Sequence, residues 1–440
     1  MAIPLKRAAS TSLLYFFVLG DILGAGVYVL VGSVAAEVGG AVWLPLVTAL
    51  CLAGLTAASY VELVTRFPRA GGSSHYATRA FGSAAGSLVG FCMVAGGVVS
   101  VGALSRAFAG DYLAAVVDLP TAPVVVVFLA ALAALNIRGV KESLRTNAVA
   151  TVVEVGGLLL VIGLGTWVVL RGDADLSRLT RVDTGEGGLN AVLAGTVLAY
   201  YSFVGFETSV NLAEEVRDPR RSYPRALLGA LATAGLVYLA IGLVTSAVVP
   251  TEQLAGSDGP LLEVVRAAGG VPGWLFSLVA LVAVANGALL TGIMSSRLAY
   301  GMAMDGLLPK ALTRVLPGRR TPWVAVLVTT AASLVLALTG EVAVLAETLV
   351  LLLLVVFTAV NAAVLVLRRQ EGEADHFRVP TVVPWLALAS CLLLFTRVDG
   401  EVWLRGLVLV GLGVLLAAVN HVRRRRAAPV AAGDRTTTAR

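Results

Sequence analysis

Long apolar runs, each near the roughly 20 residues that a helix needs to cross a hydrocarbon core, alternate with short polar segments along the whole chain. They fall at about 13–36, 41–65, 84–110, 120–137, 147–171, 190–213, 224–249, 272–300, 322–340, 342–367, 380–396 and 402–421. This pattern predicts an all-α integral membrane protein with twelve transmembrane helices.

Two of these runs are interrupted. Residues 19–32, LGDILGAGVYVLVG, place Asp21, Gly20, Gly24 and Gly26 in the first span, and YYSFVGFETS, Tyr200 to Ser209, places a glycine, hydroxyls and Glu207 in the sixth. Both features are costly in a membrane helix, because an ionisable group in hydrocarbon must be paired, neutral or wet, and glycine weakens a helix. The interrupted spans are five apart, an odd offset, so they cross the membrane in opposite senses. An inverted repeat of five spans requires this, and matching interruptions in two halves point to a transporter's binding site. The expected layout is a cytoplasmic N-terminus (1–12), a first repeat (13–171), a second repeat (190–367), helices 11 and 12 (380–421) and a disordered basic tail (422–440).

Gly20-x-x-x-Gly24 also fits a small-xxx-small packing motif. Close packing explains the glycines but not the carboxylate between them, and Asp21 therefore favours a break. Unwinding at Gly24-Ala25-Gly26 would turn amides and the positive end of the outer half-helix toward a carboxylate. The free carbonyls ending the inner half would meet an ammonium or another cation. A zwitterion is the natural guest.

Composition supports the membrane assignment: 58% of residues are hydrophobic and only 14% charged, well outside soluble usage. The net charge of +6 suggests an acidic partner until the charges are placed. Arginine and lysine gather in alternate loops, at Arg66, Arg69 and Arg79, at Arg217, Arg220, Arg221 and Arg225, and at Lys310, Arg314, Arg319 and Arg320, while the intervening loops hold few. This is the positive-inside pattern with both termini cytoplasmic. The basic balance thus reports topology and no nucleic-acid partner; the bilayer is the expected surrounding. Lys6 and Arg7 before the first run resemble a signal peptide, but that run is too long and contains Asp21.

Cys51, Cys92 and Cys391 fall singly, as do His75, His376 and His421, so neither a disulfide, a metal nor a cofactor is expected. A channel would want a ring of polar groups and an intramembrane enzyme a nucleophile–base pair or metal ligands; neither pattern is present. A sensor built on a transporter fold stays open.

Four stretches carry a resemblance to a known family: GDILGAGVYVLVG in span one, SYVELVTRFPRAGGSSHYATRAFG (59–82), SFVGFETSVNLAEEVRDPRRSYPRAL (202–227), and SSRLAYGMAMDGLLPKAL with TPWVAV (295–312, 321–326). The chain resembles the amino acid–polyamine–organocation permeases, which have the leucine-transporter fold. The resemblance implies that the amides of Ala25 and Gly26, with Gly24 beside them, receive the substrate carboxylate. It likewise implies that the carbonyls of Ile22, Tyr201, Ser202 and Val204 receive the amino group, and that Tyr201 is an aromatic gate. It implies a bacterial plasma-membrane permease for amino acids or related amines, working by alternating access, with exchange free of proton coupling as the alternative.

The chain departs from that family at two points. NIRGVKESLRTNAVATVVEV (136–155) matches the span in which proton-coupled members carry a lysine, yet Glu154 stands at its place, and Asp21 replaces a usually small residue. A carboxylate donates a hydrogen bond only when protonated, so Glu154 is expected to be neutral where it faces a carbonyl. Glu154, Asp21 and Glu207 are the proton-coupling candidates. A permanently protonated Glu154 that only joins two helices is the competing reading. Glu62 is read as a structural stitch, and Arg297 and Asp305 as stabilisers of the inner loop after span eight.

Overall fold

In the computed structural model, residues 10–24, 26–69, 71–138, 140–182, 187–319, 321–370 and 376–427 are described. The predicted basic tail from 428 onward, Lys6 and Arg7 lie outside them, as does Ala25. Seventeen α-helices follow in order: α1 (Thr11–Ile22), α2 (Gly26–Val38), α3 (Trp43–Arg66), α4 (Gly72–Phe81), α5 (Ser83–Phe108), α6 (Asp111–Ala114), α7 (Thr121–Arg138), α8 (Val140–Arg171), α9 (Gly188–Ser202), α10 (Pro219–Val248), α11 (Thr251–Ala255), α12 (Pro260–Ala268), α13 (Gly273–Met304), α14 (Trp323–Thr339), α15 (Val342–Leu367), α16 (Val382–Phe395) and α17 (Gly400–Ala427). Among the described residues, three 3-10 turns, Leu176–Thr180, Phe206–Leu212 and Lys310–Thr313, and one isolated β-bridge between Gly39 and Val182 add to the helices.

Among the described residues, eight helices are long and apolar enough to cross a membrane, or up to ten when each of two bent pairs counts as one span. The bent pairs are α1 with α2, at 43°, and α16 with α17, at 116°; α14 is a shorter apolar helix. α17 continues to Ala427, six residues past the predicted boundary at 421. α8 likewise begins at Val140, ahead of its apolar run.

Local chemistry sets several helix starts. The Ser10 hydroxyl accepts the Leu13 amide at α1, and Asp218 accepts the Arg221 amide with Pro219 in the first turn of α10; each satisfies a donor that the helix leaves unpaired. Asp175 caps the Leu176–Thr180 turn through Ser177, and that hydrogen bond, with Arg178 and Arg181 nearby, holds its carboxyl below the usual value. This loop docks on the α2–α3 junction, where the Trp43 indole donates to the Leu179 carbonyl at 2.9 Å.

Among the described residues the main core is a continuous apolar cluster running from Leu14 on α1 to Val402 on α17, with three smaller clusters beside it. α5 packs against α13, α14 and α15; α10 packs against α1 and α3; α2 packs against α9. The two interrupted helices therefore lie side by side, and α5, α13 and α15 face them.

Candidate functional site

α1 ends at Ile22, the Leu23 amide still reaching the Leu19 carbonyl at 2.8 Å, and Gly26 is already the first residue of α2. α9 ends at Ser202, where the Phe203 and Val204 amides turn back to the Tyr200 and Tyr201 carbonyls at 3.0 and 3.1 Å. Gly205 follows with φ 130°, a conformation that side-chain-bearing residues rarely adopt, and the chain continues as a 3-10 turn. Both predicted interruptions are thus real breaks in helical geometry.

The two breaks touch. A Cβ on Gly26 would lie 2.8 Å from the Ser202 Cα, and one on Gly205 would lie 2.9 Å from the carbonyl carbon and oxygen of Asp21. Backbone meets backbone at both places, which explains the requirement for glycine.

Beside the breaks lies a cavity of about 580 Å³, within the range of small-molecule sites. Asp21, Ile22, Gly24, Gly26, Glu154, Tyr201, Ser202, Val204 and Glu207 all line it. Ala25 is outside the described residues, so the amide predicted at that position has no described geometry. On the opposite side the wall is built by α5, α13 and α15.

The three carboxylates have different partners. Asp21 is bonded to the Thr208 hydroxyl, which also reaches the Gly205 carbonyl at 2.8 Å. The Thr208 hydroxyl is shared between the two oxygens and so ties the Asp21 carboxyl to the span-six break. Glu207 accepts the Gly205 amide at 2.9 Å and so closes the span-six break locally. Glu154, 1% exposed, lies beside Asn286, and neither carboxyl oxygen has a hydrogen bond of good geometry among the described residues. Its Oε1 would stand 4.0 Å from a Cβ on Gly24, which places it against the end of α1 as the sequence suggests.

Tyrosine hydroxyls satisfy backbone carbonyls around the break. Tyr238 on α10 donates to the Ile22 carbonyl. Tyr28 donates to the Glu154 carbonyl and Tyr112 to the Tyr28 carbonyl, each at 2.6 Å. The Ile22 carbonyl, predicted to receive an amine, therefore has one lone pair engaged and one remaining. Ser100, Thr208, Tyr238 and Asn286 were missed by sequence reasoning. Thr208 sits inside the second interruption and was visible there; the other three carried no signal of their own.

Tyr201 is buried, its hydroxyl 3.0 Å from the Ser100 hydroxyl of α5. With Leu104 it also borders a narrow apolar seam formed by Val29, Leu30, Ala103, Val342 and Ala346. The cavity is therefore sealed on the side of α2 and continues toward Phe17, Gly71, Asn211 and Arg297 at the other end.

Arg297 departs from expectation. It lines the cavity and has no carboxylate within ion-pair distance among the described residues, so it does not pair in the inner loop. Asp305 instead ends α13, its amide donating to the Gly301 carbonyl at 3.0 Å. Glu62 is a stitch: its carboxylate accepts Nε and a terminal nitrogen of Arg368 at 2.6 and 2.5 Å, and also the Val379 amide at 2.9 Å. Among the described residues, no group of three His, Cys, Asp or Glu is placed to hold a metal. His75 stands apart on α4, where partial burial and the nearby Arg79 and Arg69 push its imidazole below the usual value.

A helical membrane bundle whose two broken helices meet at a central cavity defines a solute carrier. Residues 10–408 match the family described as amino acid permease, and the chain belongs to that family: it is a transporter and not an enzyme. It is 32% identical to an uncharacterized transporter of Mycobacterium bovis over 94% of this chain and 92% of that protein. It is similar, at 32% identity over 79% of this chain and 61% of the relative, to a vacuolar cationic amino acid transporter of Arabidopsis thaliana. It is also similar to the methylthioribose transporter of Bacillus subtilis, at 26% identity over 94% of this chain and 93% of that protein.

Proposed function

We propose that the chain is a secondary active transporter that carries an amino acid across a bacterial plasma membrane by alternating access, with a proton as coupling ion. The observation that carries this reading is the direct contact of the two helix breaks beside a cavity that they line together. In this reading the membrane domain has twelve spans, with inverted repeats over 13–171 and 190–367 and two further helices over 380–421. Both termini are cytoplasmic, and the arginine-rich ends of the helices face inward.

The substrate carboxylate docks on the amides of Gly24, Ala25 and Gly26. Gly26 begins α2, and the first amides of a helix have no intrahelical partner and carry its positive pole. The ammonium is held by the carbonyls of Tyr201, Ser202 and Val204 and the remaining lone pair of Ile22. Tyr201 closes over the substrate from the sealed side, so the present geometry corresponds to an inward-facing state. Glu154 moves the proton. Its carboxyl lies beside Asn286 with no hydrogen bond of good geometry among the described residues, and it can donate to a span-one carbonyl when the cavity closes. Asp21 and Glu207 already have donors or acceptors at the breaks.

Uptake of radiolabelled amino acids into proteoliposomes tests the reading. Saturable uptake, accelerated by an imposed inward proton gradient, is expected. Saturable exchange with no effect of the gradient would reject the coupling, and no transport of any amino acid would reject the assignment.

A further inference from the structure

Charge is unevenly distributed around the cavity. Asp21, Glu154 and Glu207 all belong to the face made by the broken helices and α8, and the cationic Arg297 lies at the open end. The facing wall is different. Between the seal and Arg297, α5, α13 and α15 present mostly apolar side chains, among them Met93, Leu290, Met294 and Leu353, together with the uncharged polar Asn286, Thr291 and Ser295 and no lining carboxylate. The polar group nearest the gate on that wall, the Ser100 hydroxyl, is already engaged by Tyr201.

We propose that this wall selects a neutral amino acid with a large apolar side chain, of the leucine, isoleucine, methionine or phenylalanine class. The inference rests on the head-group placement proposed above: with the carboxylate and ammonium held at the breaks, the side chain projects onto α5, α13 and α15. A side-chain ammonium or guanidinium there would lose its water when the cavity closes and meet no carboxylate, an expensive arrangement. A hydrogen or methyl side chain would leave the apolar wall unfilled and forfeit the contact that apolar burial supplies. The unbranched side chains of Met93 and Met294 adapt their shape readily, so the wall accepts both branched and aromatic side chains. The carboxylates do not recruit a cationic side chain, because they stand on the face that the head group occupies.

The test is equilibrium binding to purified full-length protein in nanodiscs, with leucine, methionine, phenylalanine, alanine, glycine, lysine and arginine as ligands. The large apolar amino acids are expected to bind at least about tenfold tighter than lysine, arginine or glycine, a difference of about 1.4 kcal/mol. Tightest binding by lysine or arginine would overturn the proposal while leaving an amino acid transporter intact, and so would equal binding of glycine and leucine. Binding of none of the amino acids would instead remove the head-group site beneath it. Leu290→Asp places a carboxylate in the wall and should lower the leucine-to-lysine affinity ratio at least about tenfold; an unchanged ratio would count against the wall as the selector. Met294→Asp provides the same reading should Leu290→Asp fail to fold.

Discussion

The α-carbon of Gly205 stands so close to Asp21 that a single added Cβ would lie 2.9 Å from that residue's carbonyl carbon and oxygen. The residues are 184 positions apart by number (205 minus 21) and belong to the two interrupted helices. Neither interruption is therefore an isolated local defect. Each break gives the other room, and a change at one is felt at the other.

Gly26→Ala tests this coupling. Its new Cβ would sit 2.8 Å from the Ser202 Cα and 3.2 Å from the Tyr201 ring, so α2 and α9 must separate. Overpacking of this kind costs about 1–3 kcal/mol, and the shift falls on the proposed carboxylate site. Substrate affinity should drop about tenfold or more, with the protein still extractable as a monodisperse species. Calorimetric titration of Gly26→Ala against the parent checks this, and equal affinities would remove the carboxylate from this break.

Tyr201 should separate two roles by substitution. Tyr201→Phe keeps the ring and loses the bond to Ser100, a loss of about 0.5–1.5 kcal/mol, so transport should slow by no more than about tenfold. Tyr201→Ala removes the cover between the cavity and the apolar seam. Bound substrate should then dissociate much faster, as measured by chase of a radiolabelled ligand. An unchanged off-rate in Tyr201→Ala would dismiss the gate.

Much of this arrangement was legible in the sequence, because membrane helices announce themselves by apolar length and their breaks by misplaced glycine and carboxylate. Asp21 with Gly24 and Gly26, and Gly205 with Glu207, marked the two places where the chain leaves helical geometry. The partners were not legible. Tyr238 reaches Ile22, Ser100 reaches Tyr201, and Asn286 lies beside Glu154, each from a different helix. Nothing in the local pattern of an apolar span says which neighbour a hydroxyl or an amide will face. Arg297 was misplaced for the same reason: one helical turn decides whether a side chain points into the inner loop or along the cavity wall.

The Glu62–Arg368 pair should govern stability more than transport. Both side chains are nearly fully buried, at 2% and 8% exposed, and they join α3 to the end of α15 and to the segment leading into α16. Removing one partner leaves a buried charge and costs about 3–5 kcal/mol. Arg368→Met should therefore lower the Tm in detergent strongly, and Glu62→Leu combined with Arg368→Met should recover a large part of it. A double variant as unstable as Arg368→Met alone would show that Arg66, which donates to the Leu367 and Gln370 carbonyls at 2.6 and 2.8 Å, does not suffice to hold the junction.

Glu154 carries the most exposed prediction. Its carboxyl is buried against the end of α1, beside Asn286 and with no hydrogen bond of good geometry among the described residues, whereas Asp21 has Thr208 and Glu207 has the Gly205 amide. A group that must gain a proton in one state and lose it in another needs partners that change between states, and a carboxyl held loosely beside Asn286 meets that need better than two bonded ones. On the proposed cycle, a neutral Glu154 would donate to a span-one carbonyl in the closed state and steady the substrate site. On that proposal the proton leaves as the cavity that Glu154 lines fills with water, so the two states would differ in proton affinity and a gradient would bias the cycle. Glu154→Gln keeps a donor of similar shape without the transferable proton. It should bind and exchange substrate like the parent, yet lose the acceleration that an inward proton gradient gives to net uptake. A permanently neutral Glu154 that merely joins α8 to α1 predicts the opposite: gradient-driven uptake survives the substitution in full. That result would transfer the coupling role to Asp21, the carboxyl bonded to Thr208 at the break, and Asp21→Asn proteoliposomes would then be the deciding measurement.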